Sequence, residues 1–241
     1  MGQKVHPLGF RLGITQKHKN YWCTKSQISA LWVQDASFIR NYIEKAFFGA
    51  GIINIEIQRR EIEYPYISIE IYAARPNILI NRDSFSKKNI KLNWSEGLGQ
   101  LRDNLIKRLK KFYKVRNLPD PGNIYCTVSI KSTNNPDIYA MVLAEKLVDD
   151  LQQRKPYRKA MRQVVRKAIK AGAKGIKVKI SGRLNGADIA RSEDLRSGPV
   201  PLQTLRAKID YSEKHAKTIY GLLGIKIWVF HGEQLTPLSN L

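Results

Sequence analysis

Cysteine, acid and long apolar runs are what this sequence has least of. Cys23 and Cys126 are its only thiols, far apart and in no C-x-x-C pair. A disulfide framework and a thiolate zinc site are therefore excluded, and both are read as reduced structural thiols in a reducing compartment. His6, His18, His215 and His231 are scattered without ligand spacing, so no metal is expected. Asp and Glu number 20 against 42 Lys and Arg. A nuclease would need clustered acids for Mg²⁺ or an activated nucleophile. Here the pairs Glu61/Glu63 and Asp149/Asp150 sit in a turn and at a helix end, and both read as solvated. Ser181 and His215 form no recognisable dyad, so no catalytic residue and no cofactor is expected. Phosphate-loop, dinucleotide and H-E-x-x-H motifs are missing. No apolar run approaches the ~18 residues of a spanning helix, and the N-terminus has neither a secretory apolar core nor a Ser- and Arg-rich transit signature.

What is present is positive charge. The net charge is +22 over 241 residues, with 43% apolar content, enough for a buried core. A pI near 10 is the footprint of a nucleic-acid binder. The charge is densest in RKPYRKAMRQVVRKAIKAGAKGIKVKISGR, residues 154 to 183, which holds twelve Lys or Arg. No acid occurs between Asp150 and Asp188. Tyr157, Met161, Val164, Val165, Ala168 and Ile169 recur at helical spacing and predict a buried stripe. Arg158, Arg162, Arg166 and Lys170 repeat every four residues on another face, with Lys159 and Lys167 beside them and Arg154 and Lys155 just before. Like charges at that spacing repel by a few tenths of a kcal/mol per pair, roughly, in a lone helix. A chain that tolerates several in a row is expected to have polyanion beside it. Gly172 ends the helix. Lys174 follows, then Ile176, Val178 and Ile180 alternate with Lys177 and Lys179 in a strand that runs to Arg183.

The order of elements predicts an α+β protein of two domains. Residues 1–30 form a basic tail with Lys4, Arg11, Lys17 and Lys19, broken by Pro7, Gly9 and Gly13. Such a tail cannot fold alone but can be ordered on phosphate. Residues 31–132 read as helix (Asp35 to Phe48), two strands on Ile53/Ile55/Ile57 and Ile67/Ile69/Ile71, a long helix (Ser95 to Lys114), and a strand on Ile124, Cys126, Val128 and Ile130. Residues 133–231 read as two helices packed on a mainly antiparallel sheet. Asn135-Pro136 is expected to cap the first helix. Asn185-Gly186 is a two-residue hairpin signal. Residues 212 to 220 fit either a continuing bent strand, the favoured reading, or a short helix, and residues 232–241 are an unpatterned tail. Two G-x-x-G matches, Gly172 to Gly175 and Gly221 to Gly224, open strands and are assigned to turns.

MGQKVHPLGFRLGIT at the start, YRKAMRQVVRKAIKAGAKGIKVKISGRLNGADIARSEDLRSGPVPLQTLRAKIDY, and TIYGLLGIKIWVF resemble the small-subunit ribosomal protein S3 family. The close match spans the first fifteen residues and roughly Pro156 to Gly232. The stretch from Asp35 to Ser132 matches in element order. The wording is most like the plastid branch, which implies the chloroplast stroma; the alternative is a bacterial cytoplasm. The resemblance implies an N-terminal type II KH-like domain, then the C-terminal domain, bound in the head of the small subunit. Small-subunit rRNA, mRNA and neighbouring ribosomal proteins of the head are the implied partners, with no membrane. Arg158, Lys159 and Arg162 match positions that face incoming mRNA and help open its structure. One departure stands out: the family's KH loop, usually G-R-K-G, is here Asn81, Arg82, Asp83 and Ser84. Both glycines are lost and an acid has appeared, so that RNA grip is expected to be degenerate. A free KH-type regulator and a nucleic-acid-processing enzyme are the competing classes. The lost glycines argue against the first and the acid-poor basic stretches against the second.

Overall fold

A computed structural model describes residues 4–47, 49–61, 65–80, 94–115 and 125–234. The chain forms two compact units, one of residues 19–134 and one of residues 1–18 with 135–241. The KH loop Asn81 to Ser84 and the final residues from 235 lie outside the described residues.

In the unit of residues 19–134, α2 (Ser26–Ala46) and α4 (Trp94–Val115) pack with the sheet β1 (Asn20–Tyr21), β2 (Ile52–Glu61), β3 (Pro65–Ala73) and β4 (Tyr125–Ser132). A short α3 (Pro76–Ile80) precedes α4. Strands β2 and β3 are antiparallel, while β3 and β4 run parallel, with Ile69 opposite Val128. Helix α2 begins at Ser26, not at Asp35. Its first turn, Ser26 to Ala30, lies in the stretch read as tail, and its buried stripe is Trp32, Ala36, Ile39 and Ile43. In β2 the register shifts between Ile52 and Asn54. Ile52, Ile55 and Ile57 are therefore the buried positions, and Ile53 leaves the core. Asp35 is buried between Arg59, at 2.9 Å, and the Tyr113 hydroxyl, which donates to the same carboxylate oxygen.

In the other unit, α5 (Ala140–Gln152) and α6 (Tyr157–Lys170) cover one face of an antiparallel sheet ordered β6 (Arg191–Ser197), β5 (Gly175–Gly182), β8 (Gly221–Glu233), β7 (Ala207–Thr218). Ile176, Val178, Ile180, Ile225, Ile227 and Val229 meet Leu143, Leu147, Val164 and Ala168 in one core. The last strand thus runs through Gly232 to Glu233 before the tail. Residues 212 to 218 continue β7, so of the two alternatives the strand is the one that forms. Two local expectations differ. Pro136–Ile138 forms a separate 3-10 turn, and α5 starts at Ala140, whose N–H donates to Asp210 rather than to an Asn135 cap. Strand β6 pairs Arg191 with Gly182, so the connection is the long loop 183–190, not a two-residue hairpin. Asn185 and Gly186 do adopt positive φ, 54° and 79°, but inside that loop.

The N-terminal segment is folded rather than a free tail. Pro7 occupies the first turn of α1 (Pro7–Arg11), where its missing N–H costs nothing. The segment lies against β7. His6 sits edge-on to Tyr211 at 4.9 Å, and Gln16 donates to the Ile209 carbonyl at 2.7 Å.

Candidate nucleic-acid interface

Helix α6 carries the site. Its periodicity places Tyr157, Ala160, Met161, Val164, Val165 and Ala168 in the core. Ile169, expected there too, is 46% exposed. The opposite face is fixed outward by that burial. Arg158, Lys159, Arg162, Arg166 and Lys170 are exposed on it, and Lys167 is half-buried at its edge. Fourteen residues at ~1.5 Å each make a rod of about 20 Å. Among the described residues no carboxylate pairs with Lys159, Arg162 or Arg166.

Arg158 differs. Its Nη2 lies 3.4 Å from Glu193 of β6, and its Nε donates to the Tyr157 hydroxyl at 3.1 Å. The same hydroxyl donates to Glu193 at 2.7 Å, and Arg191 stands 3.8 Å from that carboxylate. The Tyr157 hydroxyl, with Arg158 beside it, holds the Glu193 carboxyl below its ordinary range. Sequence reasoning missed Glu193 as an acid facing this helix. The antiparallel pairing that brings it there spans eleven residues from Gly182, beyond any local pattern.

The remaining predicted cations do not form one surface. Lys177 and Lys179 alternate with the buried β5 residues, so they point to the sheet face opposite the helices. There Lys177 lies 5.8 Å from the Trp228 ring and 3.3 Å from Asp194. Lys174 is exposed at the turn before β5. Arg154 and Lys155 form the α5–α6 turn, with Lys155 paired to Asp150. Arg183, at the end of β5, bonds the Ala187 carbonyl at 2.9 Å and reaches Asp188 at 3.3 Å. Lys4 and Lys17 are exposed in the N-terminal segment, whereas Lys19 is exposed in the other unit.

Arg11 is a correction. Expected on phosphate, it is 0% exposed. Its Nε donates to Ala207 O at 2.7 Å, its Nη1 to Pro7 O at 3.1 Å, and its Nη2 to the carbonyls of Pro201, Leu202 and Thr204. Burial pulls its pKa below the ordinary arginine value. A guanidinium spent this way pins the segment to its own sheet and has no nitrogen left for RNA. Of the thiols, Cys23 is exposed and Cys126 is buried, with burial pushing the Cys126 thiol up to about 11. No cluster of His, Cys, Asp and Glu among the described residues could hold a metal ion. Nor is any described helix long and apolar enough to cross a membrane.

A family model described as ribosomal protein S3, C-terminal domain, matches residues 147–229, from within α5 to within β8. The small ribosomal subunit protein uS3c of Chlorella vulgaris is 62% identical over 100% of both chains. That of Mesostigma viride is 42% identical over 98% of this chain and 99% of its own. The uS3 protein of Thermosynechococcus vestitus is 39% identical over 98% of this chain and 88% of its own. Identity at this level along the whole length shows that the chain belongs to the ribosomal protein S3 family of the small ribosomal subunit, in its plastid-type branch.

Proposed function

We propose that the chain is a structural constituent of the plastid small-subunit head that binds rRNA and presents α6 to mRNA where the message enters. The observation that supports this best is the polarity of α6. One face is locked in the core, and the other offers Lys159, Arg162 and Arg166 with no acid among the described residues to satisfy them. Phosphate contacts carry no sequence information, as an element that meets every message requires. Cations held in fixed positions can hold separated strands apart by their backbones without ATP. Lys4, Lys17, Lys19, Lys174, Lys177 and Lys179 are assigned to rRNA, and Arg11 is not. Residues 31–132 are read as KH-like because α2, β2, β3, α4 and β4 follow the family's element order. Neighbouring head proteins complete the contacts, and no catalytic role is assigned.

The test combines assembly with translation. Ribosomes carrying Arg158, Lys159 and Arg162 all changed to Gln should assemble normally, with the protein sedimenting with the small subunit. They should translate unstructured messages at the wild-type rate and slow on stable hairpins. Equal relative rates on both messages would refute the mRNA role. Failure to assemble would assign these side chains to rRNA instead.

A further inference from the structure

Beside the first turn of α6 lies a cavity of about 460 Å³ that the reading above does not use. Its size falls in the ~300–1,000 Å³ range of small-molecule sites. The α5–α6 turn supplies Arg154 and Lys155, the 183–190 loop supplies Arg183 and Gly186, the end of β7 supplies Lys217, and the β7–β8 turn supplies Tyr220. We propose that this cavity receives one unstacked nucleotide of single-stranded RNA, its base against Tyr220 and its phosphates toward Arg154, Arg183 and Lys217. The proposal rests on the reading of the chain as an RNA-binding protein and adds a separate subsite to it.

Three observations carry it. First, the aromatic platform is pre-set. The Tyr220 ring is 53% exposed. It lies so close to Gly186 that a Cβ there would come within 2.9 Å of it. The Arg183 guanidinium stands 5.8 Å from the ring centroid. An exposed aromatic ring held by glycine and arginine is the platform on which an unpaired base stacks. Second, two of the cations are unspent. Among the described residues no carboxylate pairs with Arg154 or Lys217, while Arg183 bonds the Ala187 and Tyr220 carbonyls and its one acid, Asp188, is fully exposed. Third, Arg154 sits where the backbone calls for glycine. Its φ is +60°, at the left-handed position that ends α5, with its N–H on Leu151 O and the Lys155 N–H on Asp150 O. Among the described residues only Arg154 and Asn185 combine a side chain with positive φ, and both line this cavity. A cation kept at a glycine position, at a cost to the fold, indicates that its side chain has work in the cavity. An acidic peptide would use the cations but leave the aromatic face idle. A nucleotide uses both.

The experiment uses the full chain and a ten-nucleotide single-stranded RNA carrying one 2-aminopurine. Wild-type protein should quench the fluorophore by stacking. Tyr220→Leu should abolish the quench and weaken binding by about ten-fold, within the ~5- to 150-fold range of one lost stacking contact. Arg154→Gly should weaken binding while raising the melting temperature, a pairing that damage to the fold cannot produce. The Arg158/Lys159/Arg162 variant should keep the quench at saturation. Chemical probing of small subunits built with Tyr220→Leu, without message, separates the sources. A newly reactive rRNA base identifies rRNA as the donor of the nucleotide. Unchanged rRNA with a lost quench identifies the message. Normal quench and affinity in both pocket variants, with unchanged rRNA reactivity, would overturn the subsite and leave the RNA-binding reading intact. A wild-type chain that neither binds the oligonucleotide nor protects any rRNA base would overturn both.

Discussion

Arg11→Met separates a structural pin from an RNA contact. Methionine keeps most of the aliphatic stem and removes the charge and every donor. Five carbonyls, those of Pro7, Pro201, Leu202, Thr204 and Ala207, then lose a charged partner. A hydrogen bond to a charged group contributes about 1.5–3 kcal/mol, but water will reach some of the freed acceptors. Removing a buried charge also returns several kcal/mol, roughly, of desolvation. The net cost is about 2–4 kcal/mol, which corresponds to roughly 30- to 1,000-fold more frequent opening of the segment. Hydrogen exchange should read this directly. Amides of residues 4–18 and of 201–211 should exchange faster, while α5, α6 and β5 keep their protection. The salt dependence of RNA binding by the folded protein should be unchanged, because no phosphate contact is lost. A log–log slope that flattens by about 0.7–0.9, with exchange unaltered, would mean that Arg11 swings out to RNA and would refute the pin.

Glu193→Gln should free Arg158 from its only carboxylate in the described residues and strengthen mRNA binding, with a log–log salt slope steeper by up to about 0.7 as one more cation meets phosphate; an unchanged slope in filter binding would show that the pair never limited the helix. Asp35→Ala should destabilise the unit of residues 19–134 by about 3–5 kcal/mol, since Arg59 is left buried without its partner. A urea midpoint within error of wild type would contradict this. Burial pulls the His231 pKa below its ordinary value, with Asp210 partly opposing and Lys208 adding to the effect. The unfolded chain therefore binds the extra proton first, and stability due to this group is complete above about pH 6.5 and declines below it, by at most ~1.4 kcal/mol per pH unit. His231→Gln should remove that component between pH 7 and 5, and parallel stability profiles for the two proteins would exclude it.

The legible parts of the fold were those in which one period governs a whole element. Helix α6 was readable because its apolar and basic residues keep separate phases for fourteen residues. Strand β7 was readable only through Tyr211, where Ala207, Ile209 and Tyr211 alternate; Ser212 to Thr218 carries too few apolar residues to choose between strand and helix, and pairing with β8 decides it. What could not be read depends on pairing across distance. The bulge that turns Ile53 out of the core is a property of the β2–β3 register, not of the string Ile-Ile-Asn-Ile. Asn185-Gly186 has the backbone of a tight turn, yet the pairing of Gly182 with Arg191 stretches the connection around it. Arg11 was assigned by composition, and charge composition cannot distinguish a cation facing solvent from one whose partners are carbonyls nearly two hundred residues away. In the site, the α6 cations were legible one by one, but Glu193 was not, because its place beside Arg158 is made by β6 returning along β5.

The same geometry divides what the sequence presents as one basic run. Residues 154 to 183 are continuous in charge, but α6 lies over one face of the sheet and Lys177 and Lys179 project from the other. The helices cover one face and side chains alternate to the other, so the two charged surfaces face different volumes of solvent. One RNA strand cannot lie on both. The cations of β5, beside Trp228, therefore belong to a different contact from those of α6. Under the proposed function, neutralising Arg158, Lys159 and Arg162 should therefore alter what happens to a message without loosening the protein from its rRNA. The two faces would meet different phosphates, and contacts that share no partner add independently. A protein with all twelve charges on one surface could not separate the two effects, because every substitution that weakened its hold on a message would weaken assembly by a comparable factor.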